Sequence, residues 1–206
     1  YNPDTRRMSG FIAEFERNIM ASGIPCDIYV ETLECKSIND APIWMSQTEN
    51  MISRYENKGL RAIVLLGQEA WASFVSLGHI PKDVMCFCCY VSSNGIVLPP
   101  PEDSLGMWLP PSINYMNMTD SLNNVGGMLN KYDVRRNIEL VRSLFPEAVN
   151  IAFISDNTYG GISLQALVRE EMKNYPDMNL VLVDSREGDD AMHETYASLS
   201  HRSAAI

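Results

Sequence analysis

Positive charge is scarce in this chain: 16 Lys and Arg stand against 26 Asp and Glu, a formal net charge of -10. Nucleic-acid phosphates are held by clustered Lys and Arg, so the composition argues against a nucleic-acid partner. No apolar run approaches the roughly 18 to 20 residues that span a bilayer. Nor does a basic start followed by an apolar stretch mark a signal peptide. The 3 histidines, His79, His193 and His201, stand singly in polar settings. Surface or helix-end positions suit them better than the role of catalytic base. A G-x-S-x-G elbow, a P-loop, H-E-x-x-H and a G-x-G-x-x-G after a strand are all absent. Glu187, Asp189 and Asp190 lack the alternating ligands and final Glu of a calcium loop. They read as a solvated turn whose Asp caps the next helix. No catalytic residue, metal or cofactor is therefore expected in this segment.

Cysteine is present in an odd number, 5, without regular spacing, which does not make a disulfide framework. Cys86, Cys88 and Cys89 fall in Val84-Met-Cys-Phe-Cys-Cys-Tyr-Val91, an apolar strand. Alternation places Cys86 and Cys88 on one face and Cys89 on the other. No second well-spaced pair and no nearby His completes a zinc site. Small core hydrophobes account for them better than redox or metal chemistry.

Hydrophobic residues make up 46% of the 206, enough for one or two real cores. The stretch from Asn150 to Ser185 is the most informative. It runs apolar strand, glycine-bearing turn Asn157-Thr-Tyr-Gly-Gly161, amphipathic helix Ile162 to Tyr175, and second apolar strand Leu180 to Ser185. A helical crossover makes those strands parallel. Upstream, Met8, Phe11, Ile12, Phe15 and Ile19 repeat at helical spacing up to Gly23, with Asp4 or Thr5 as cap. A strand is expected at Cys26 to Leu33, a helix from about Ile43 to Lys58, and a strand at Arg61 to Leu66. A helix from Trp71 to Leu77 and a strand at Val84 to Val91 complete that half. The order αβαβαβ predicts a parallel sheet covered by helices on both faces.

Prolines then interrupt the pattern at Leu98-Pro-Pro-Pro-Glu102 and Leu109-Pro-Pro-Ser112. Ile96 to Asn124 reads as a crossover between two lobes, with one or two short strands such as Ser112 to Met118. Asp133 caps a helix from Val134 to Phe145, which Pro146 stops. A helix follows the turn at Arg186 to Asp190, and Ser203 to Ile206 begins another strand. Tyr1-Asn-Pro3 looks like the loop after a strand, so a longer parent protein is expected.

In open parallel sheets, ligands bind beyond the carboxyl ends of the strands. Asn2, Glu31, Gly67, Gln68, Glu69, Tyr90, Ser92, Asp156, Asn157, Tyr159, Gly160 and Asp184 stand at or beside those ends. Polar and aromatic groups there suit a small polar ligand, with helix-start amides open to an anionic group. Helix capping competes for the same Ser, Asn and Asp side chains. The glycines beside Tyr159 would let a ligand approach the backbone, and its ring offers a stacking face.

Together, several segments resemble the type I periplasmic-binding-protein fold. More narrowly they resemble substrate-binding proteins of ABC transporters and the extracytoplasmic sensor domains of bacterial histidine kinases. The segments are Tyr1-Asn-Pro3, Val30-Glu-Thr-Leu-Glu-Cys-Lys36, Arg61 to Leu66 with Gly67-Gln-Glu-Ala70, and Ile80-Pro81 before Val84 to Val91. Leu144-Phe-Pro146 and Ser155-Asp-Asn-Thr-Tyr-Gly-Gly161 complete the set. The resemblance implies two Rossmann-like lobes with parallel sheets flanked by helices, spanning 1–112 and 124–206 around a crossover at 113–123. The second lobe is expected to be incomplete. It implies a periplasmic sensor region of an inner-membrane hybrid two-component kinase, binding a small polar ligand between the lobes and signalling across the membrane. Association of two copies is compatible with it. A transporter's solute-binding protein is the alternative, and a cytoplasmic flavodoxin-like enzyme the third reading.

Overall fold

Helical apolar periodicity and short β-branched runs build alternating helices and strands. The computed structural model describes residues 6–99, 108–184, 188–199 and 203–205. Helix α1 (Arg6–Ala21) ends before Gly23, whose φ of 70° no longer continues a helix. Its expected caps, Asp4 and Thr5, lie outside the described residues. After a 3-10 turn at Ile38–Asp40 come α2 (Ala41–Glu56), β1 (Ala62–Leu66), α3 (Gln68–Ser76) and β2 (Met85–Ser92). Short strands β3 (Asn94–Gly95) and β4 (Ile113–Asn114) pair antiparallel and lead into α4 (Tyr115–Thr119). Asn114 Oδ1 accepts from the Met116 and Asn117 amides, which turns the strand expected across 112–118 into a helix start after two residues. Then follow β5 (Val125–Asn130), α5 (Val134–Leu144), β6 (Asn150–Ser155) and α6 (Tyr159–Met172). The order closes with β7 (Asn179–Asp184), α7 (Asp189–Ser198) and β8 (Ser203–Ala205).

Two three-stranded parallel sheets result, ordered β1-β2-β5 and β7-β6-β8. The chain is thus an α/β protein of parallel sheets flanked by helices, compatible with a Rossmann-like fold. Strand β5 lies inside the span 124–206 assigned from sequence to the second lobe, yet its ladder is with β2. The division between the sheets therefore falls between β5 and α5. The strand expected at Cys26 to Leu33 joins no sheet among the described residues. A strand exists through a neighbour's hydrogen bonds, and this segment's contacts go to α2 instead. The Tyr29 ring lies 4.8 Å from that of Tyr55, and Lys58 Nζ sits 5.2 and 4.9 Å from the two ring centres.

The register of β2 on β5 shifts between Cys88 and Val91, where Tyr90 takes φ 60°, unusual outside glycine. Leu65, Trp71, Phe74, Val75, Cys86, Cys88, Val91 and Tyr115 bury the α3 side of this sheet. Val134, Ile138, Ile151, Phe153, Val168 and Met172 form the core of the second sheet. A third cluster takes Ile38, Ala41, Trp44, Ala72, Ile96 and Leu98 from the first half and Tyr159, Ile162 and Ala166 from α6. The two halves therefore meet through packed apolar side chains, not across open solvent alone.

Candidate functional site

The turn after β6 is tied to the loop that precedes α2, and Glu69, in the turn after β1, acts on Cys35 of that same loop. Gly67 closes β1 by donating its amide to Cys89 O at 2.9 Å, and its own carbonyl accepts from Trp71 N in the first turn of α3. Gln68 and Glu69 open α3, half-buried, while Trp71, Ala72, Phe74 and Val75 anchor the helix below them. On the other side, Asp156 Oδ1 accepts from Thr158 N and from Thr158 Oγ1, and that hydroxyl accepts from Gly161 N. Asp156 and Thr158 thus satisfy the start of α6, as capping demands. Asn157 between them reaches across: its Nδ2 donates to Ser37 Oγ at 2.9 Å and its carbonyl accepts from Ile38 N at 3.0 Å. Asn157 Oδ1 is buried and has no hydrogen-bond partner.

Tyr159 enters the first half. Its side chain is 1% exposed, so it presents no free face for stacking in this state. Ile96 N donates to Tyr159 Oη, and Tyr115 Oη donates to Ile96 O at 3.0 Å. A tyrosine hydroxyl carries one proton. Since the Tyr115 proton goes to Ile96 O, the 2.5 Å contact between the hydroxyls has Tyr159 as donor. The result is a closed ring of hydrogen bonds, from Ile96 N–H through both hydroxyls to Ile96 C=O. Burial, with the neighbouring Tyr159 hydroxyl, pushes the Tyr115 phenol well above its ordinary range. Desolvation raises the Tyr159 phenol to about 12, against the lowering effect of its hydrogen bonds and with a smaller push from Glu69. Both keep their protons at neutral pH, as the ring requires. The Tyr115 ring lies so close to Gly95 that a Cβ there would stand 2.4 Å from Tyr115 Oη.

Glu69 acts on a second group here. Burial, then the negative charges of Glu69 and Asp40, drive the Cys35 thiol up to about 12. Strand-buried Cys86 and Cys88 are both raised to about 11, chiefly by desolvation. Thiolate is the reactive form. At pH 8 an aromatic disulfide reagent is therefore expected to modify exposed Cys26 first, and Cys35, Cys86 and Cys88 only after denaturant is added. Peptide mass mapping checks this; rapid native labelling at Cys86 or Cys88 would contradict the burial described.

Of the residues chosen from sequence, Asp156, Asn157, Tyr159 and Gly160 stand at this junction, Glu69 acts on it through Cys35 and Tyr159, and Gly67 and Gln68 precede Glu69 at the start of α3. Ser92 is buried at the end of β2, where its hydroxyl accepts from Asn94 N. Tyr90 turns toward α1, its ring edge-on to Phe11 with centroids 5.8 Å apart. Glu31 is held elsewhere, by Arg54 Nη1 at 2.7 Å and by the Tyr55 hydroxyl on α2. Asp184 ends β7 in register with Ser155. Asn2 lies outside the described residues. Ser37, Cys35, Ile96 and Tyr115 were not singled out by sequence, because their role depends on segments far apart in the chain. Among the described residues no three His, Cys, Asp or Glu side chains group closely enough to hold a metal ion, and no helix is long and apolar enough to cross a membrane.

No protein-family description matches the chain, and no curated protein does. Among solved structures it is similar to a conserved domain protein from Vibrio cholerae O1 biovar El Tor str. N16961, with 15% identity and a TM-score of 0.38. The match covers 70% of this chain and 41% of the other, so the chain spans less than half the length of that protein.

Proposed function

We propose that this chain is the extracytoplasmic ligand-binding region of a membrane hybrid two-component histidine kinase, with two lobes arranged as in type I periplasmic binding proteins. The observation that carries the reading is the tie from the carboxyl-end turn after β6 to the loop before α2, made by Asn157 to Ser37 and Ile38, with Glu69 from the turn after β1 close enough to act on Cys35 of that loop and on Tyr159. Carboxyl-end turns are where such sheets take ligands. Glu69 and the unpartnered Asn157 Oδ1 supply acceptors for the donors of a small polar molecule. A ligand that holds both turns would change the balance between open and closed arrangements, and that balance is the signal passed on.

A thermal-shift panel of amino acids, nucleosides, sugars and short peptides tests the reading. A binder present at 100 times its Kd stabilises the folded state by about 2.7 kcal/mol. Glu69→Gln and Asn157→Ala are expected to weaken that binder at least tenfold, about 1.4 kcal/mol, while Glu31→Gln leaves it unchanged. A panel without any stabilising compound, or a binder indifferent to both junction variants, overturns the site. The encoded sequence around the chain tests the parent: a membrane helix and kinase downstream fit the proposal. A lipoprotein leader with a stop soon after a completed second lobe would make it a transporter's solute-binding protein instead.

A further inference from the structure

We propose that the free edge of β1 receives one more parallel strand, supplied by the chain that feeds α1, and that this strand takes Cys26 to Leu33 as its second neighbour. Parity defines the edge. Met85 N donates to Arg61 O, and Gly67 N donates to Cys89 O, so the odd-numbered residues from Arg61 to Gly67 turn their backbone groups toward β2. Alternate residues of a parallel ladder point the other way. Ala62, Val64 and Leu66 therefore aim their N–H and C=O groups away from β2, where β1 has no strand neighbour among the described residues. Nothing guards that edge. Ala62–Leu66 has no charge, no proline and no bulge, the devices by which edge strands resist pairing. Apolar on both faces, it has the composition of an interior parallel strand.

Cys26 to Leu33 holds a second row of unpaired backbone. It joins no ladder, and Tyr29 and Val30 are 54% and 52% exposed. Among the described residues its backbone makes one backbone hydrogen bond, accepted by Leu33 O from Cys35 N. Topology gives the added strand its place. Ile52 of α2 packs into the same core as Trp71 and Phe74 of α3, so α2 and α3 cover one face of the sheet. Among the described residues α1 adds none to that core; its Phe11 lies against Tyr90 near the carboxyl end of β2. Crossovers between parallel strands are right-handed, so steps over one face advance in one direction and steps over the other face run back. The step from Cys26–Leu33 through α2 to β1 repeats the step from β1 through α3 to β2. That puts the segment beyond the free edge of β1. The step through α1 runs back from it, so the strand feeding α1 falls between the two unpaired rows. About five or six apolar residues would pair with both.

Amide hydrogen exchange, read residue by residue at low concentration, tests the proposal. It compares this chain with one extended at its amino end by the preceding encoded residues, about fifteen, enough for a strand and its turn. The amides of Ala62, Val64 and Leu66 should exchange fast in the shorter chain and at least about tenfold more slowly in the longer one. Protection should rise around Tyr29 and Val30 as well. Val64→Pro removes an N–H that only the added strand would use, and proline is tolerated on a strand edge. That variant should leave the melting temperature of the shorter chain near its parent value but abolish the rise that the extension brings. Ile63→Pro removes a bond to β2 and should lower both. Three results would each overturn the proposal: an extension that protects none of these amides, edge amides already slow in the shorter chain, or a Val64→Pro chain that the extension stabilises as before. Encoded residues without an apolar strand ahead of α1 would overturn it too.

Discussion

Tyr159→Ala is expected to destabilise the chain by about 3–5 kcal/mol, the range for removing a large buried aromatic side chain. The ring packs with Ile38, Trp44, Ala72 and Ile96 of one half and Ile162 and Ala166 of its own helix. Its loss leaves a cavity shared by both halves. The hydroxyl matters separately: Tyr159→Phe keeps the ring but strips Ile96 N–H of its acceptor and Tyr115 of its donor. That variant should cost about 1–3 kcal/mol, the penalty for a buried polar group without a partner. Urea unfolding followed by far-ultraviolet circular dichroism and by the fluorescence of Trp44 and Trp71 measures both losses. The two signals should move together, because the cluster joins the halves. A loss under about 1 kcal/mol for the alanine variant would mean that α6 does not depend on this seat.

Gly161→Ala should be the second large effect, and its sign is the informative part. Alanine normally stabilises a helix position by about 1 kcal/mol over glycine. Here a Cβ would stand 2.4 Å from Asp156 Oδ1 and 2.5 Å from Asp156 O, so the turn preceding α6 has to move. Overpacking of this kind costs about 1–3 kcal/mol. The shift would also carry Asn157 away from Ser37 and Ile38, so weaker binding of any junction ligand should accompany the lost stability. Gly160→Ala is the matched control, because its Cβ would meet only Thr158 Oγ1 at 3.7 Å. That variant should be neutral or gain up to about 1 kcal/mol. Equal behaviour of the two variants in thermal denaturation would rule out the close approach at Asp156.

Helices and central strands were legible because their physics is local. Val134, Ile138 and Val141 recur at helical spacing, and Ala62 to Leu66 and Asn150 to Ser155 are short apolar runs bounded by polar turns. Strand β5 was not legible. Val125-Gly-Gly-Met-Leu-Asn130 has the glycines of a turn, yet Gly126 lies against the Phe87 ring and Gly127 leaves room for the Cys88 backbone. The small residues serve a neighbour that periodicity does not reveal. The reverse holds for Cys26 to Leu33, whose β-branched and aromatic residues suit a strand but find α2 instead. At the site, the turns Gly67–Glu69 and Asp156–Gly160 could be found from strand ends alone. The hydrogen-bond ring could not, since Tyr115 and Tyr159 are 44 positions apart and their common partner is a backbone unit. Tyr159 looked like an exposed aromatic because its turn is polar; its burial comes from the other half.

The kink at Tyr90 has a bearing on all of this through parity. Up to Cys88 the inward side chains of β2 are even-numbered, Cys86 and Cys88; beyond Tyr90 the odd-numbered Val91 points to the same core. One residue in a left-handed conformation thus switches the strand's odd–even phase, since a one-residue slip exchanges the two faces of a strand. Past Ser92 the chain bends and enters β3, where Gly95 and the following Ile96 seat Tyr115 and Tyr159. The phase in which β2 delivers Val91 to the core is therefore set by the backbone of a residue whose own ring lies against α1.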